Sequence, residues 1–261
     1  MNTSPGVQPR AWDASRARRF VQFVGSLVFT FLLFLTTPVW GLAITLMFFL
    51  PHRAHFQMAR AWAGLLMWLL KVLCRLEYVV EGRERLPAGN HITLWKHSSS
   101  WETISQMVIF PRQCWVLKHE LMYVPLVGWG LKVLKPIAVD RGAGHAAVNQ
   151  VIEQGRQRLA DGLWVIIFPE GTRMPLGQTR KYGISGALLA KETGHVIVPV
   201  AHNAAQFWPR RGLMKKPGCI RVVIGPPFEA GDLDPREVNA RVQEWVETTV
   251  ARLIAEGGGE T

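Results

Sequence analysis

The chain has 261 residues, of which 49% are hydrophobic, and it carries 30 Lys and Arg against 19 Asp and Glu. This composition excludes a disordered chain and supplies enough apolar side chains for one large α/β domain or two small ones. The net charge of +11 predicts attraction to an anionic partner such as phospholipid, nucleic acid or an acidic metabolite, without choosing among them.

The N-terminal region contains 31 consecutive uncharged residues, from position 20 to position 50. As one helix at about 1.5 Å per residue this stretch would measure about 46 Å, against about 30 Å for the hydrocarbon core of a bilayer. Pro38 interrupts it. The stretch therefore predicts a membrane anchor, either one tilted span or two shorter helices, 21–37 and 39–50, that dip into the membrane as a hairpin.

Basic residues flank both ends of this stretch, so they give no orientation for a single span but suit a hairpin with both ends in the cytoplasm. They are Arg10, Arg16, Arg18 and Arg19 before it and Arg53 and Arg60 after it. A cleaved signal peptide is disfavoured because the apolar run is too long and no small-residue cleavage site follows it.

Residues 54–76 predict a further helix, either packed in the protein or lying at the membrane interface with Trp62 and Trp68 at the boundary. The interfacial interpretation is favoured by the basic residues interspersed among Leu, Met and Trp. The cysteines Cys74, Cys114 and Cys219 have no spacing typical of a disulfide framework or a zinc site, which favours a reducing, cytosol-facing location.

The remaining sequence alternates short apolar runs with helical segments, which predicts an α/β fold with a mixed, largely parallel sheet covered by helices. The predicted strands are 77–82, 91–96, 114–118, 135–140, 164–168, 195–202 and 219–225, and the predicted helices are 101–110, 143–159, 184–193 and 235–254. We thus expect membrane-anchoring helices at 1–76, one α/β domain at 77–256 and a flexible tail at 257–261.

The segment WKHSSSWETI, residues 95–104, places a histidine between a predicted strand and a predicted helix, where α/β folds carry their sites. Glu102 fits a capping box with Ser99, which is a purely structural role. It also reaches His97 if the histidine lies in the turn, and a carboxylate on one imidazole nitrogen leaves the other to take a proton from an alcohol. The serines lack the G-x-S-x-G context of a nucleophile and are interpreted as turn and cap residues.

Two further segments carry candidate anion-binding groups. WVIIFPEGTRMP, residues 164–175, brings a glycine and the guanidinium of Arg173 to the end of a strand, which suits a phosphate but equally fits an ordinary turn. Lys118 and Arg141 each close a predicted strand; taken singly, such charges are usually solvated.

The order of these segments resembles the glycerolipid acyltransferase family, specifically the 1-acylglycerol-3-phosphate acyltransferases. His-x4-acid is followed by K-x-E-L-x-x-V-P-x-x-G, by a strand ending in D-R, by F-P-E-G-T-R and by I-V-P-V, over residues 86–228. The resemblance implies a glycerol-3-phosphate acyltransferase-like fold. It also implies that His97 is the general base and Glu102 its orienting acid.

The same resemblance implies that Lys118, Arg141 and Arg173 hold the acceptor's phosphate and that Glu170, Gly171 and Thr172 belong to the acceptor site. Val198 and Pro199 match the block that shapes the acyl-donor side. This sequence departs from the family at two positions, since Glu102 replaces the usual aspartate and Lys96 replaces a common asparagine. If Lys96 lies close to His97 it lowers the pKa of the histidine; otherwise it adds to the field that attracts an anionic substrate.

The resemblance implies acyl transfer from acyl-CoA or acyl carrier protein to the 2-hydroxyl of 1-acylglycerol-3-phosphate, giving phosphatidic acid. No cofactor and no metal are expected, because a thioester is already activated. The expected partners are the bilayer, the lysophospholipid and the donor, at the cytoplasmic face of the plasma (inner) membrane. The alternatives are another lysophospholipid or lyso-aminolipid acceptor and a non-catalytic lipid-binding protein. Nucleic-acid binding is disfavoured because no recognition motif accompanies the charge.

Overall fold

The computed structural model describes residues 15–257 of the chain. Arg10 and residues 258–261 of the predicted tail lie outside the described residues, while Gly257, the first residue of that tail, ends the last helix.

Two long helices open the described chain and pack against each other. Helix α1 spans Arg16–Leu46 and helix α2 spans His52–Cys74. The alternative of two helices that meet near Pro38 is wrong, because α1 runs through Pro38 and the chain reverses at residues 47–51. Packing on both sides of the proline holds the helix, since the indole nitrogen of Trp62 donates to Thr36 Oγ1 at 3.1 Å and Gly41 contacts helix α4, defined below. The helix expected at 54–76 is α2.

Seven strands form one sheet in the order β1-β7-β6-β2-β5-β3-β4. They are β1 Leu76–Glu81, β2 Ile92–Trp95, β3 Gln113–Lys118, β4 Ile137–Val139, β5 Trp164–Ile167, β6 Ile197–His202 and β7 Gly218–Ile224. Every pair is parallel except β6 with β7, so β1 and β7 run against the other five. The predicted mixed, largely parallel sheet is confirmed, with each predicted strand within two residues of an observed one.

Six further helices complete the described chain: α3 Trp101–Ile109, α4 Val127–Val133, α5 His145–Ala160, α6 Ser185–Thr193, α7 Ala204–Phe207 and α8 Pro235–Gly257. Two short 3-10 turns, Arg83–Arg85 and His119–Tyr123, also occur. Helices α3, α5, α6 and α8 were predicted. The short helices α4 and α7 were not, because a segment of seven or four residues is too short to show helical periodicity.

The sheet separates two apolar cores. One lies between the sheet and helices α1, α2 and α3, and the other between the sheet and helices α5, α6 and α8. Successive side chains of a strand point to opposite faces, so Ile166 and Phe168 enter the first core whereas Val165 and Ile167 enter the second. Because α1 and α2 contribute to the first core, they belong to the packed body of the protein.

One side of α1 lies against the protein along most of its length. The amide nitrogen of Gln22 donates to the carbonyl oxygens of Cys74 and Lys215, at 2.8 and 2.7 Å. Near the other end, Gly41 and Gly130 allow α1 and α4 to touch backbone to backbone, since a Cβ on Gly130 would lie 2.8 Å from the Gly41 Cα. Only glycines permit so close an approach.

Candidate active site

The predicted site residues collect along one edge of the sheet. Strands β6, β2, β5, β3 and β4 are neighbours and parallel, so their carboxyl ends lie side by side. His97 follows β2, the segment 168–173 follows β5, Lys118 ends β3 and Arg141 follows β4. Motifs far apart in sequence therefore share one edge, which is where open α/β sheets place their ligands.

The predicted contact between His97 and Glu102 is present. The Nδ1 atom of His97 lies 2.9 Å from Oε1 of Glu102, and the carboxylate is fully buried. The same oxygen accepts the backbone N–H groups of Ser98 and Ser99, each at 2.8 Å. Glu102 thus contacts the histidine and also accepts two backbone amides just before α3. The predicted capping box is formed on the glutamate side, whereas the Ser99 hydroxyl accepts the N–H of Trp101 at 3.1 Å.

The hydrogen bond to Glu102 determines the tautomer of neutral His97. A carboxylate only accepts, so Nδ1 carries the proton and Nε2 has a free lone pair. The histidine is 8% exposed, and its ring stacks on Phe168 with centroids 4.5 Å apart. The arrangement provides a fixed imidazole whose unprotonated nitrogen can accept a proton from an alcohol.

Glu102 is ionised although it is buried. Burial alone would raise its pKa, but the hydrogen bond from His97, the nearby imidazoles of His202 and His97 and the amide of Ser99 together lower that pKa below its ordinary value. An ionised Glu102 stabilises the imidazolium that forms when His97 takes up a proton.

A second histidine, His202, lies behind the dyad at the end of β6. Its Nδ1 accepts the N–H of Ala204 at 3.1 Å, so its Nε2 carries the proton and donates to the carbonyl oxygen of Lys96 at 2.9 Å. That Nε2 lies 3.8 Å from the second carboxylate oxygen of Glu102. Burial lowers the pKa of His202, which keeps the ring neutral. Its position at a strand end is the signal that could have identified it, as it identified His97.

The loop after β5 holds the backbone of His97 on both sides. Oε2 of Glu170 accepts the N–H of His97 at 2.7 Å, and the N–H of Met174 donates to the His97 carbonyl oxygen at 2.7 Å. Glu170 is 2% exposed. Its carboxylate is therefore committed to contacts within the protein rather than presented to solvent.

Lys96 points to the opposite face of the sheet from His97, as strand alternation requires. Its ammonium lies 2.7 Å from Glu170 Oε1 and 2.9 Å from Glu247 Oε1 on α8, and it also donates to the Gln178 carbonyl oxygen at 3.0 Å. Of the two roles considered for Lys96, a contribution to the field that attracts an anionic substrate is disfavoured, because the side chain is buried and paired with two carboxylates. Lys96 and Glu170 are buried and Glu247 is partly exposed; the three groups are called the Lys96 triad below.

Arginine side chains surround the turn at residues 171–173. Arg141 donates to the carbonyl oxygen of Gly171, and Arg173 donates to the hydroxyl of Ser100 at the start of α3. Arg210, which sequence reasoning missed, lies 3.4 Å from Thr172 Oγ1. The structure thus brings Arg141, Gly171, Thr172 and Arg173 together beside His97.

Lys118 and the I-V-P-V block occupy different surroundings. Lys118 is exposed and lies 2.7 Å from Glu120, so it contacts none of the other predicted site residues directly. It is nevertheless in register with Val139, two residues before Arg141. Val198 and Pro199 are buried inside β6, next to β2.

The fold and the site define a class of protein: an α/β enzyme with a buried carboxylate and histidine pair, set beside a basic turn, for transfer of a group to a hydroxyl. Residues 77–203 match the sequence pattern of the acyltransferase family. A 1-acyl-sn-glycerol-3-phosphate acyltransferase of Pseudomonas aeruginosa is 42% identical over 241 residues, covering 89% of this chain and 93% of that protein. The chain belongs to the acyltransferase family.

Two more distant proteins are also similar to this chain. The human 1-acyl-sn-glycerol-3-phosphate acyltransferase alpha is 25% identical over 201 residues, covering 75% of this chain and 71% of that one. The crystal structure of the lysophosphatidate acyltransferase PlsC of Thermotoga maritima superimposes with a TM-score of 0.75, covering 90% of this chain and 97% of that chain at 23% identity. That structure confirms the predicted fold.

Proposed function

We propose that this protein transfers an acyl chain from a thioester to the 2-hydroxyl of 1-acyl-sn-glycerol-3-phosphate, giving phosphatidic acid. The observation that carries the proposal is the 2.9 Å contact between His97 Nδ1 and Glu102 Oε1, which leaves Nε2 free beside a basic turn. The Pseudomonas aeruginosa relative, 42% identical, supports the choice of acceptor by its name.

In this reaction His97 Nε2 takes the proton of the hydroxyl while the hydroxyl oxygen attacks the thioester carbonyl. The tetrahedral intermediate collapses, the bond from carbon to sulfur breaks, and the departing thiolate receives the proton from His97. Ionised Glu102 stabilises the intervening imidazolium. A thioester is already activated, so the scheme needs no covalent enzyme intermediate, cofactor or metal.

The acceptor's phosphate is assigned to Arg141 and Arg173, whose guanidinium groups lie against the turn at 171–173. A planar guanidinium matches the geometry of a phosphate oxygen pair. Lys118 reaches the same phosphate by leaving its exposed contact with Glu120, which costs little because surface ion pairs are weak. For Glu170 we propose a positioning role in place of the acceptor contact that the family resemblance implies, because its carboxylate contacts the His97 amide and Lys96.

The helices α1 and α2 attach the enzyme to one leaflet of the plasma membrane, with the site on the cytoplasmic face. Among the described helices, α1 alone is long and apolar enough to cross a membrane by length and composition. However, its inner side is bound to the catalytic body from Gln22 to Gly41. A perpendicular span would pull the charged groups of that body into the bilayer, which is costly.

The orientation is tested with single cysteines, Arg16→Cys or Arg53→Cys, in a chain whose three native cysteines are replaced. If α1 and α2 lie in one leaflet, we expect that neither position reacts with a membrane-impermeant maleimide in intact cells and that both react after lysis. Labelling of one position from outside would establish a span instead.

The activity is tested with purified protein, labelled acyl-CoA and acyl carrier protein, and a panel of lysophospholipids. We expect lysophosphatidate to be the preferred acceptor, a loss of about 10²–10⁴-fold in His97→Ala and a smaller loss in Glu102→Gln, which still caps α3. If another lysophospholipid were preferred, that lipid would be the acceptor in place of lysophosphatidate. Wild-type rates in both variants, with the fold intact by circular dichroism, would refute the dyad.

A further inference from the structure

A cavity lies at the edge of the sheet opposite to the edge that carries His97. It has a volume of about 570 Å³ and is formed by the start of α2 and by the residues that precede β3, β4 and β5. Since β2, β5, β3 and β4 are parallel, this is the amino edge of the strands whose carboxyl ends carry the active site. The cavity is therefore separate from the catalytic centre.

The charge of this cavity is predominantly positive. Arg53, Arg112 and Lys135 line it together with His52, against one carboxylate, Asp161. Asp161 lies 3.7 Å from Lys135, whereas the guanidinium groups of Arg53 and Arg112 have no ion pair or hydrogen bond within residues 15–257. Two strong hydrogen-bond donors thus face the cavity without an anionic partner.

The surroundings of His52 reflect the same positive field. Burial lowers the pKa of this histidine, and the charges of Lys135 and Arg158 lower it further, against the effect of its contact with the Leu134 carbonyl oxygen. That contact, at 3.3 Å, joins the start of α2 to the segment before β4. The cavity walls are consequently connected to each other.

The backbone at two of the basic residues is unusual. Arg112 and Lys135 have φ angles of 47° and 54°, a left-handed conformation that residues other than glycine rarely adopt. Both conformations are held by their own carbonyl groups: the Arg112 carbonyl accepts the N–H of Trp164 at 3.0 Å, and the Lys135 carbonyl accepts Arg158 Nε at 2.8 Å. These two hydrogen bonds fix the backbone of both basic residues at the cavity wall.

The cavity adjoins an exposed apolar tip. Phe48 and Phe49, in the turn between α1 and α2, are 74% and 69% exposed and precede Pro51 at the cavity wall. In the membrane attachment proposed above, these rings enter the leaflet beside the cavity. The basic side chains then lie at the level of the lipid headgroups.

We propose that this cavity binds the phosphate-bearing headgroup of an anionic bilayer phospholipid, as a lipid site distinct from the acceptor site. This proposal rests on the attachment of α1 and α2 to the membrane. The guanidinium groups of Arg53 and Arg112 and the ammonium of Lys135 supply the donors, while the phenyl rings of Phe48 and Phe49 lie among the acyl chains. Such a site would hold the hairpin on an anionic membrane surface while the opposite edge stays free for catalysis.

The test compares the triple variant Arg53→Gln, Arg112→Gln, Lys135→Gln with a control triple variant on α8, Arg236→Gln, Arg241→Gln, Arg252→Gln. The control removes the same charge from exposed positions on the other face of the sheet. Partition of the purified, full-length proteins is measured on phosphatidylcholine vesicles with and without phosphatidylglycerol. Each basic side chain near an anionic surface strengthens binding about five-fold, so we expect the partition coefficient of the cavity variant on anionic vesicles to fall about a hundred-fold.

Four results decide the proposal. It is supported if, on anionic vesicles, the fold-decrease in the partition coefficient of the control is less than about a tenth of the fold-decrease of the cavity variant. Both variants must also bind neutral vesicles like wild type. Equal losses would overturn it, since the charge of the whole protein would then account for binding. If inorganic phosphate binds wild type but not the cavity variant in the absence of vesicles, while the two variants partition alike on anionic vesicles, the cavity takes free phosphate and the proposal is overturned. If wild type binds neither vesicle, the membrane attachment fails and the headgroup site fails with it. Acyl transfer in detergent micelles, unchanged in both variants, verifies the fold.

Discussion

A single carboxylate oxygen of Glu102 contacts both the backbone before α3 and the imidazole of His97. Its Oε1 accepts two backbone amides that open α3 and also the Nδ1 proton of His97. The amides fix the carboxylate, and the carboxylate fixes the imidazole. Glutamate at this position therefore reaches the histidine directly, although the family usually has the shorter aspartate.

Removal of the cation from the Lys96 triad should destabilise the protein strongly at a pH above the pKa of Glu170. There Lys96→Met leaves the carboxylates of Glu170 and Glu247 close to each other without a counter-charge, and breaking the buried pair of Lys96 and Glu170 costs about 3–5 kcal/mol of the free energy of unfolding. Adding Glu170→Gln and Glu247→Gln should restore much of the loss. Urea unfolding in detergent measures each variant, and wild-type stability of Lys96→Met alone would contradict the assignment.

Glu170 should make stability depend on pH. Burial raises its pKa from 4.5 to about 7, against the attraction of Lys96. Between these values the folded protein holds a proton that the unfolded chain has released, so this residue makes the free energy of unfolding fall as pH rises from 4.5 to about 7.

Glu170→Gln removes this contribution, and its free energy of unfolding should fall less over the same window. Urea titrations at the two ends of the window measure the difference between variant and wild type. The same pH dependence in both proteins would show that Glu170 titrates normally.

At the scale of elements, α1 is bound to the catalytic body by close backbone contact. A Cβ on Gly41 would lie 2.7 Å from the carbonyl oxygen of Leu126, which cannot yield without moving α4, whereas a Cβ on Gly64 of α2 meets nothing within 4 Å. Substitutions at the two glycines can therefore be compared, one at a close backbone contact and one in open space.

Gly41→Leu should lower the free energy of unfolding by about 1–3 kcal/mol through overpacking. Gly64→Leu should raise it by about 1 kcal/mol, because leucine favours a helix over glycine. Denaturant unfolding in detergent separates the two results. If both variants were equally stable, α1 would not be packed against α4 as described.

At the scale of the whole molecule, an apolar surface covers the outer side of α1 and the turn after it. Its most exposed members are Phe20, Phe31, Phe34, Leu46, Phe48 and Phe49. Soluble monomers rarely expose so many large apolar side chains together, and this is the surface of the membrane attachment that we propose. It extends from α1 to the tip that adjoins the basic cavity.

Replacement of the two tip residues tests this surface. Burial of a phenylalanine side chain is worth about 1.5–3 kcal/mol, so Phe48→Ser with Phe49→Ser should weaken partition to neutral vesicles at least about a hundred-fold. Acyl transfer in detergent micelles should be retained, because the tip is remote from His97. Undiminished partition would exclude the tip from the membrane contact.

Most of the fold could be predicted from sequence because its signals are local. Alternating and continuous apolar runs identified the seven strands, and apolar periodicity identified the longer helices. The contact between His97 and Glu102 could also be predicted locally, since the two residues are five positions apart on one strand-turn-helix. The short helix α4 escaped prediction because seven residues with two glycines carry little periodic signal.

Other features depended on contacts between distant segments. Whether Pro38 ended α1 was decided by packing against α2 and α4, and the burial of Lys96 was decided by Glu247, 151 positions away. The basic cavity likewise joins α2 to the segments before three strands. The sequence by itself determined the elements and the contact between His97 and Glu102, because their patterns lie within one element or one turn. Only the tertiary structure decided which charges are buried and paired and which remain open to a ligand, because burial and pairing arise when distant segments pack together.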